Sequence, residues 1–85
     1  MSFYTYILYS EAFDRYYIGQ TISPDSRIIR HNNGYVKSTK PYRPWKMIWQ
    51  KSHETRKEAM QLEMKLKSLK SRRYLLKWIE ENPAE

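Results

Sequence analysis

Tyr4-Thr5-Tyr6-Ile7-Leu8, followed after a short polar interval by Tyr17-Ile18-Gly19, organises the reading of this chain. Phe3 to Tyr9 is aromatic and β-branched, free of Gly and Pro, and reads as a strand. Ser10 to Asp14 is turn-like, and Arg15 to Gln20 reads as a second strand, the antiparallel partner of the first. Side chains alternate along strands, so Tyr4, Tyr6 and Leu8 share one face of the first, and Tyr17 and Gly19 one face of the second. Gly19 leaves backbone room for whatever lies beside it.

Working outward, Ser23-Pro24 is a helix start, with Ser as N-cap and Pro at the first helical position. That helix should run to about Asn33, stopped by Asn32-Asn33-Gly34. A loop with Pro41, Pro44 and interleaved Lys, Arg and Tyr follows. Trp45 to Lys51 reads as a third strand, with Trp45, Met47 and Trp49 alternating against Lys46, Ile48 and Gln50. Thr55-Arg56-Lys57-Glu58 is a capping box that opens a helix whose Ala59, Leu62, Leu66 and Leu69 form one buried stripe. Ser71 caps a last helix carrying Tyr74, Leu75, Trp78 and Ile79 and ended by Asn82-Pro83. The expected fold is α+β, in the order β-β-α-β-α-α, as a single domain over 1–85.

An 85-residue chain buries a modest fraction of its surface, which suits a core rich in its eight Tyr and three Trp. With no cysteine, disulfide staples and thiolate metal sites are excluded. No apolar run approaches the ~18 residues of a membrane span, and the N-terminus does not resemble a secretory signal. The expectation is a soluble, cytoplasmic protein without a membrane partner. Net charge is +7, a footprint suited to nucleic acid. From Ser26 to His53 there is no acid, while Arg27, Arg30, Lys37, Lys40, Arg43, Lys46 and Lys51 all fall there. A second acid-free stretch, Met64 to Ile79, carries Lys65, Lys67, Lys70, Arg72, Arg73 and Lys77.

Arg27 and His31 sit four apart and share a helix face. Arginine offers a fixed fork of donors to phosphate oxygens, and histidine moves protons near neutral pH. Each also fits a plain solvated surface. Glu63 lies at the edge of the apolar stripe. It reads either as one half of a salt bridge with Arg27 or as a single carboxylate holding Mg²⁺ with substrate phosphate and waters. Tyr6 and Tyr17 are ordinary core aromatics taken alone, since a phenol of pKa ~10 is a poor base. Phosphodiester hydrolysis needs an activated water, charge stabilisation at phosphorus and a protonated leaving group. Tyr, Arg, His and a metal-binding Glu supply all three.

Taken together these residues resemble the GIY-YIG nuclease family, and the likeness covers nearly the whole chain. Tyr4-Thr5-Tyr6 stands at the first motif, without its Gly and Ile, and Tyr17-Ile18-Gly19 matches the second as written. Arg27 stands ten residues beyond Tyr17, with His31 one turn later, as in the family. Glu63 matches the glutamate of its later helix, and Asn82 is the one late candidate for a further family asparagine. The chain is similar to small standalone members rather than to domains fused in excision-repair or homing nucleases. The resemblance implies a three-stranded antiparallel sheet flanked by helices, and metal-dependent cleavage of DNA phosphodiester bonds, a reaction of DNA repair or recombination. It implies Tyr6 or Tyr17 for water activation, His31 for proton transfer and Arg27 for the phosphorane charge. Glu63 would hold one Mg²⁺ or Mn²⁺, and DNA would lie on a basic face with Arg30, Lys37, Lys40, Arg43 and Lys46. Basic contacts position without specifying, so specificity would come from DNA structure or from a partner protein. The rival reading is a non-catalytic nucleic-acid-binding module that keeps the fold; a basic protein–protein adaptor is a third.

Overall fold

The computed structural model describes residues 2–84; Met1 and Glu85, the ends of the expected 1–85 domain, lie outside the described residues. Strands β1 (Phe3–Ser10), β2 (Arg15–Thr21) and β3 (Lys46–His53) form one antiparallel sheet in the order β2-β1-β3. Helices α1 (Pro24–Asn32), α2 (Arg56–Ser68) and α3 (Arg72–Glu81) complete the order β-β-α-β-α-α, an α+β fold. A short 3₁₀ turn, Lys40–Tyr42, lies in the loop before β3.

Being central, β1 is covered on both faces, and Thr5, Tyr6, Ile7, Leu8 and Ser10 are all buried. Its alternation divides the core in two. Ile7 packs with Trp49, Leu66 and Leu75, under α2 and α3. Tyr6 and Leu8 pack with Trp45, Tyr17, Ile28 and Met47, under α1 and the loop before β3.

The expected alternation of β3 holds only in part. Ile7 pairs with Trp49, but Leu8 pairs with Met47, so Ile48 is a bulge with no partner on β1. An extra residue reverses the facing of everything beyond it. Trp45 and Met47 therefore join the Tyr6 cluster, while Trp49 and Ile48 both join the Ile7 cluster.

The helix ends follow local chemistry. Thr55 and Glu58 form the complete capping box: Glu58 N–H donates to Thr55 Oγ1 at 3.2 Å, and Thr55 N–H to Glu58 Oε1 at 3.1 Å. Ser23 and Ser71 take the N-cap positions of α1 and α3, but their hydroxyls cap nothing. The Ser23 hydroxyl goes instead to Ser26 Oγ at 3.0 Å. Gly34, with φ +80, turns the chain after α1. In the α2 stripe Ala59 and Leu66 are buried, with Leu62 and Leu69 partly so. On α3, Leu75 is buried, whereas Tyr74 points outward. No helix of the described residues is long and apolar enough to cross a membrane.

Candidate active site

Tyr6 stands on the α1 side of β1, paired across the sheet with Gly19 of β2. Its ring lies over that glycine: a Cβ at position 19 would fall 2.6 Å from the Tyr6 hydroxyl oxygen. The missing side chain is thus what lets the phenol cross β2. The Tyr6 hydroxyl reaches His31 Nε2 at 3.0 Å. His31 lies on the inward face of α1 and is fully buried. Its other ring nitrogen, Nδ1, is 2.8 Å from Thr39 Oγ1. Tyr17 completes the cluster, its ring centroid 4.8 Å from that of His31 and 6.3 Å from that of Tyr6.

Burial sets the charge state of the central pair. It pulls the His31 imidazole down to about 4, assisted by the positive charges of Arg27 and Arg30, so the ring is neutral at physiological pH. Burial likewise holds the Tyr6 phenol above its usual range, and Tyr17 and Glu63 push it the same way while Arg27 opposes them. Arg27, half-buried on α1, and Glu63, half-buried on α2, therefore both act on the phenol electrostatically without bonding to it. The resting site is a protonated phenol hydrogen-bonded to a neutral imidazole, within electrostatic reach of a cation and a carboxylate.

A tyrosine from each of two paired strands, a histidine and arginine from the next helix and a glutamate from a later one come together here. Residues 2–75 match the GIY-YIG catalytic domain. The chain belongs to the GIY-YIG family. It is 36% identical over 66 residues to the UPF0213 protein of Staphylococcus epidermidis, covering 76% of this chain and 79% of that one. Identity to the UPF0213 protein of Staphylococcus saprophyticus is 39% over the same length and shares. The solution NMR structure of the UPF0213 protein BH0048 from Bacillus halodurans superimposes with a TM-score of 0.62 at 30% identity, covering 96% of this chain and 86% of that one. GIY-YIG domains form a family of endonucleases, which places the chain in a nuclease family.

Within this GIY-YIG domain, Tyr6, Tyr17 and His31 are in mutual contact, with Arg27 and Glu63 around them. The Glu63–Arg27 salt bridge does not form; Lys67, one turn on, holds Glu63 at 2.8 Å. Arg30, Lys37, Lys40, Arg43 and Lys46 are all exposed, with Arg30 set over the Tyr35 ring and Arg43 Nε donating to the Lys40 carbonyl at 2.9 Å. Asn82 ends α3: its carbonyl accepts from the Trp49 indole at 2.7 Å and its amide donates to the Trp78 carbonyl at 2.9 Å. Trp49 and Trp78 belong to the cluster on the opposite face of the sheet from Tyr6.

Sequence reading passed over Thr39 and Asn32. Thr39 sits in an irregular loop where no periodicity singles it out, and only contact with His31 reveals it. The Asn32 side chain, read as part of a helix stop, pairs with both backbone groups of Trp45, at 2.9 and 2.6 Å, and ties α1 to the start of β3. A cleft of about 630 Å³ borders Tyr17 between β2 and the α2–α3 turn. Two of its cations are already engaged, Arg72 with Asp14 and Lys67 with Glu63. Among the described residues no three His, Asp or Glu side chains assemble as a metal cage. A single half-buried carboxylate, which Lys67 already pairs with, supplies one of the several ligands a hard cation takes, the rest being left to substrate phosphate and water.

Proposed function

We propose that this protein is a metal-dependent endonuclease that hydrolyses DNA phosphodiester bonds in the cytoplasm, in DNA repair or recombination. The observation that carries the proposal is the buried 3.0 Å hydrogen bond between Tyr6 and His31, with Arg27 and Glu63 both acting electrostatically on the phenol. A phenol held over a glycine and backed by an imidazole has no packing purpose that a phenylalanine would not serve as well.

In this mechanism Tyr6 takes a proton from the attacking water while passing its own to His31 Nε2. The two transfers are concerted, because burial disfavours a free tyrosinate. The proton ends on His31 as an imidazolium, which burial also disfavours and which is therefore transient, formed while the negative phosphorane lies beside it. Arg27, always charged, neutralises the phosphorane as the water oxygen–phosphorus bond forms and the bond from phosphorus to the leaving deoxyribose oxygen breaks, that oxygen taking its proton from solvent. Tyr17 packs against His31 and borders the site. Glu63, once released from Lys67, would hold Mg²⁺ or Mn²⁺, which would supply charge neutralisation at the phosphate. The exposed Arg30, Lys37, Lys40, Arg43 and Lys46 bind the DNA backbone.

Supercoiled plasmid incubated with the protein and Mn²⁺ tests this reading. Nicking by wild type and its loss in Glu63→Ala is the expected result. Salt-sensitive binding with no nicking by either protein would instead make the chain a binding module.

A further inference from the structure

We propose that Thr39 is a positioning residue for catalysis: its hydroxyl oxygen accepts from His31 Nδ1–H, fixing the tautomer that leaves Nε2 bare to take the Tyr6 proton. The inference rests on the nuclease reading for its purpose, but the tautomer itself does not depend on that reading.

The assignment follows from accounting for each proton in a buried chain of groups. Tyr6 is 2% exposed, and His31 Nε2 is the one hydrogen-bond partner of its hydroxyl among the described residues. Buried donors are satisfied in native structures, so the phenol proton points at Nε2, which must then carry none. A neutral imidazole with a bare Nε2 carries its hydrogen on Nδ1. The acceptor for that hydrogen is Thr39 Oγ1, 2.8 Å away. The Thr39 hydroxyl proton in turn has the Val36 carbonyl at 3.3 Å, a group that can only accept. The chain therefore runs one way, from Tyr6 to His31 to Thr39 to the Val36 carbonyl. The opposite tautomer would leave the buried Tyr6 proton without an acceptor.

Thr39 is itself held rigidly, as a residue that orients another must be. It is 1% exposed. Its carbonyl accepts from the Trp45 indole N–H at 2.8 Å, and the Trp45 backbone is clamped to α1 by Asn32. One aromatic residue thus ties the loop that carries Thr39 to the helix that carries His31.

The test is a long-range ¹H–¹⁵N correlation spectrum of the histidine rings in ¹⁵N-labelled protein, recorded at neutral pH without DNA or metal. Wild type should show His31 protonated at Nδ1 and bare at Nε2; a ring protonated at Nε2 overturns the proposal, and this holds even if no variant folds. Thr39→Val, which removes the acceptor at nearly constant volume, should lose the single tautomer and slow single-turnover cleavage by ~10–100-fold with DNA binding unchanged. Thr39→Ser should restore both. A Thr39→Val protein that keeps the Nδ1–H tautomer and the wild-type rate also overturns it. If the tautomer is found in wild type and lost in Thr39→Val but no cleavage occurs, the nuclease reading fails and only Thr39's hold on the His31 tautomer stands.

Discussion

Gly19 and His31 show how far single residues set the chemistry. The room that Gly19 offers was legible from strand alternation, because it shares a face with Tyr17, opposite Tyr6. What fills that room is the Tyr6 phenol. Gly19→Ala would put a methyl 2.6 Å from the hydroxyl oxygen and 2.7 Å from Cζ, and a buried ring has little freedom to yield. The expected cost is about 1–3 kcal/mol in urea unfolding, with a larger proportional loss of cleavage, because the hydroxyl is driven off His31. An unchanged rate in a stable Gly19→Ala protein would contradict the placement. For His31, burial gives a pH signature that no sequence pattern announces. The folded imidazole takes its proton at about 4, against an ordinary value of 6.5 in the unfolded chain. The fold therefore keeps the full contribution of the neutral ring above about pH 6.5 and loses it as pH falls toward 4, a change of about 3 kcal/mol. An NMR titration should leave His31 neutral down to about pH 4, and the acid limb of kcat/KM should lie below the usual histidine range. An inflection near 6.5 for His31 in the folded protein would show that the ring is not buried as described.

Elements follow from local rules where those rules act alone. The capping box at Thr55 and the apolar stripe of α2 were both plain in the sequence, since each depends on residues of one short segment, close to one another in the chain. Thr55→Ala should lower stability by about 1 kcal/mol, and Leu66→Ala, emptying a fully buried site, by roughly 2–5 kcal/mol, both read from urea midpoints. The bulge at Ile48 was not legible. An extra residue leaves no mark in the alternation of β3, and only pairing with β1 shows that Trp49 faces away from Trp45. Thr39 escaped notice for the same reason: its partner lies on another element, and nothing in its own loop points to it. The serines before α1 and α3 sit at the cap positions, but neither hydroxyl caps its helix, and that of Ser23 goes to Ser26.

Over the whole molecule, the central strand divides the labour. Its Ile7 face, with α2 and α3, is a conventional apolar core, while its Tyr6 face, with α1, carries the polar cluster. Glu63 approaches from the α2 side and Arg27 from the α1 side, and both act on one phenol. Exposed cations on α1, its following loop and β3 give the surface its positive sign. DNA affinity should therefore fall linearly in a log–log plot against salt, and replacing Lys40 and Arg43 together with Gln should flatten the slope by about 0.9 for each phosphate no longer neutralised. The claim on which all of this turns is that the Tyr6 hydroxyl, not merely its ring, does the work. Single-turnover cleavage of DNA by Tyr6→Phe in Mn²⁺ measures that directly, since phenylalanine keeps the packing and removes one oxygen. The rate should drop by roughly 10²–10⁴-fold with DNA binding unchanged. Cleavage at the wild-type rate would contradict the account.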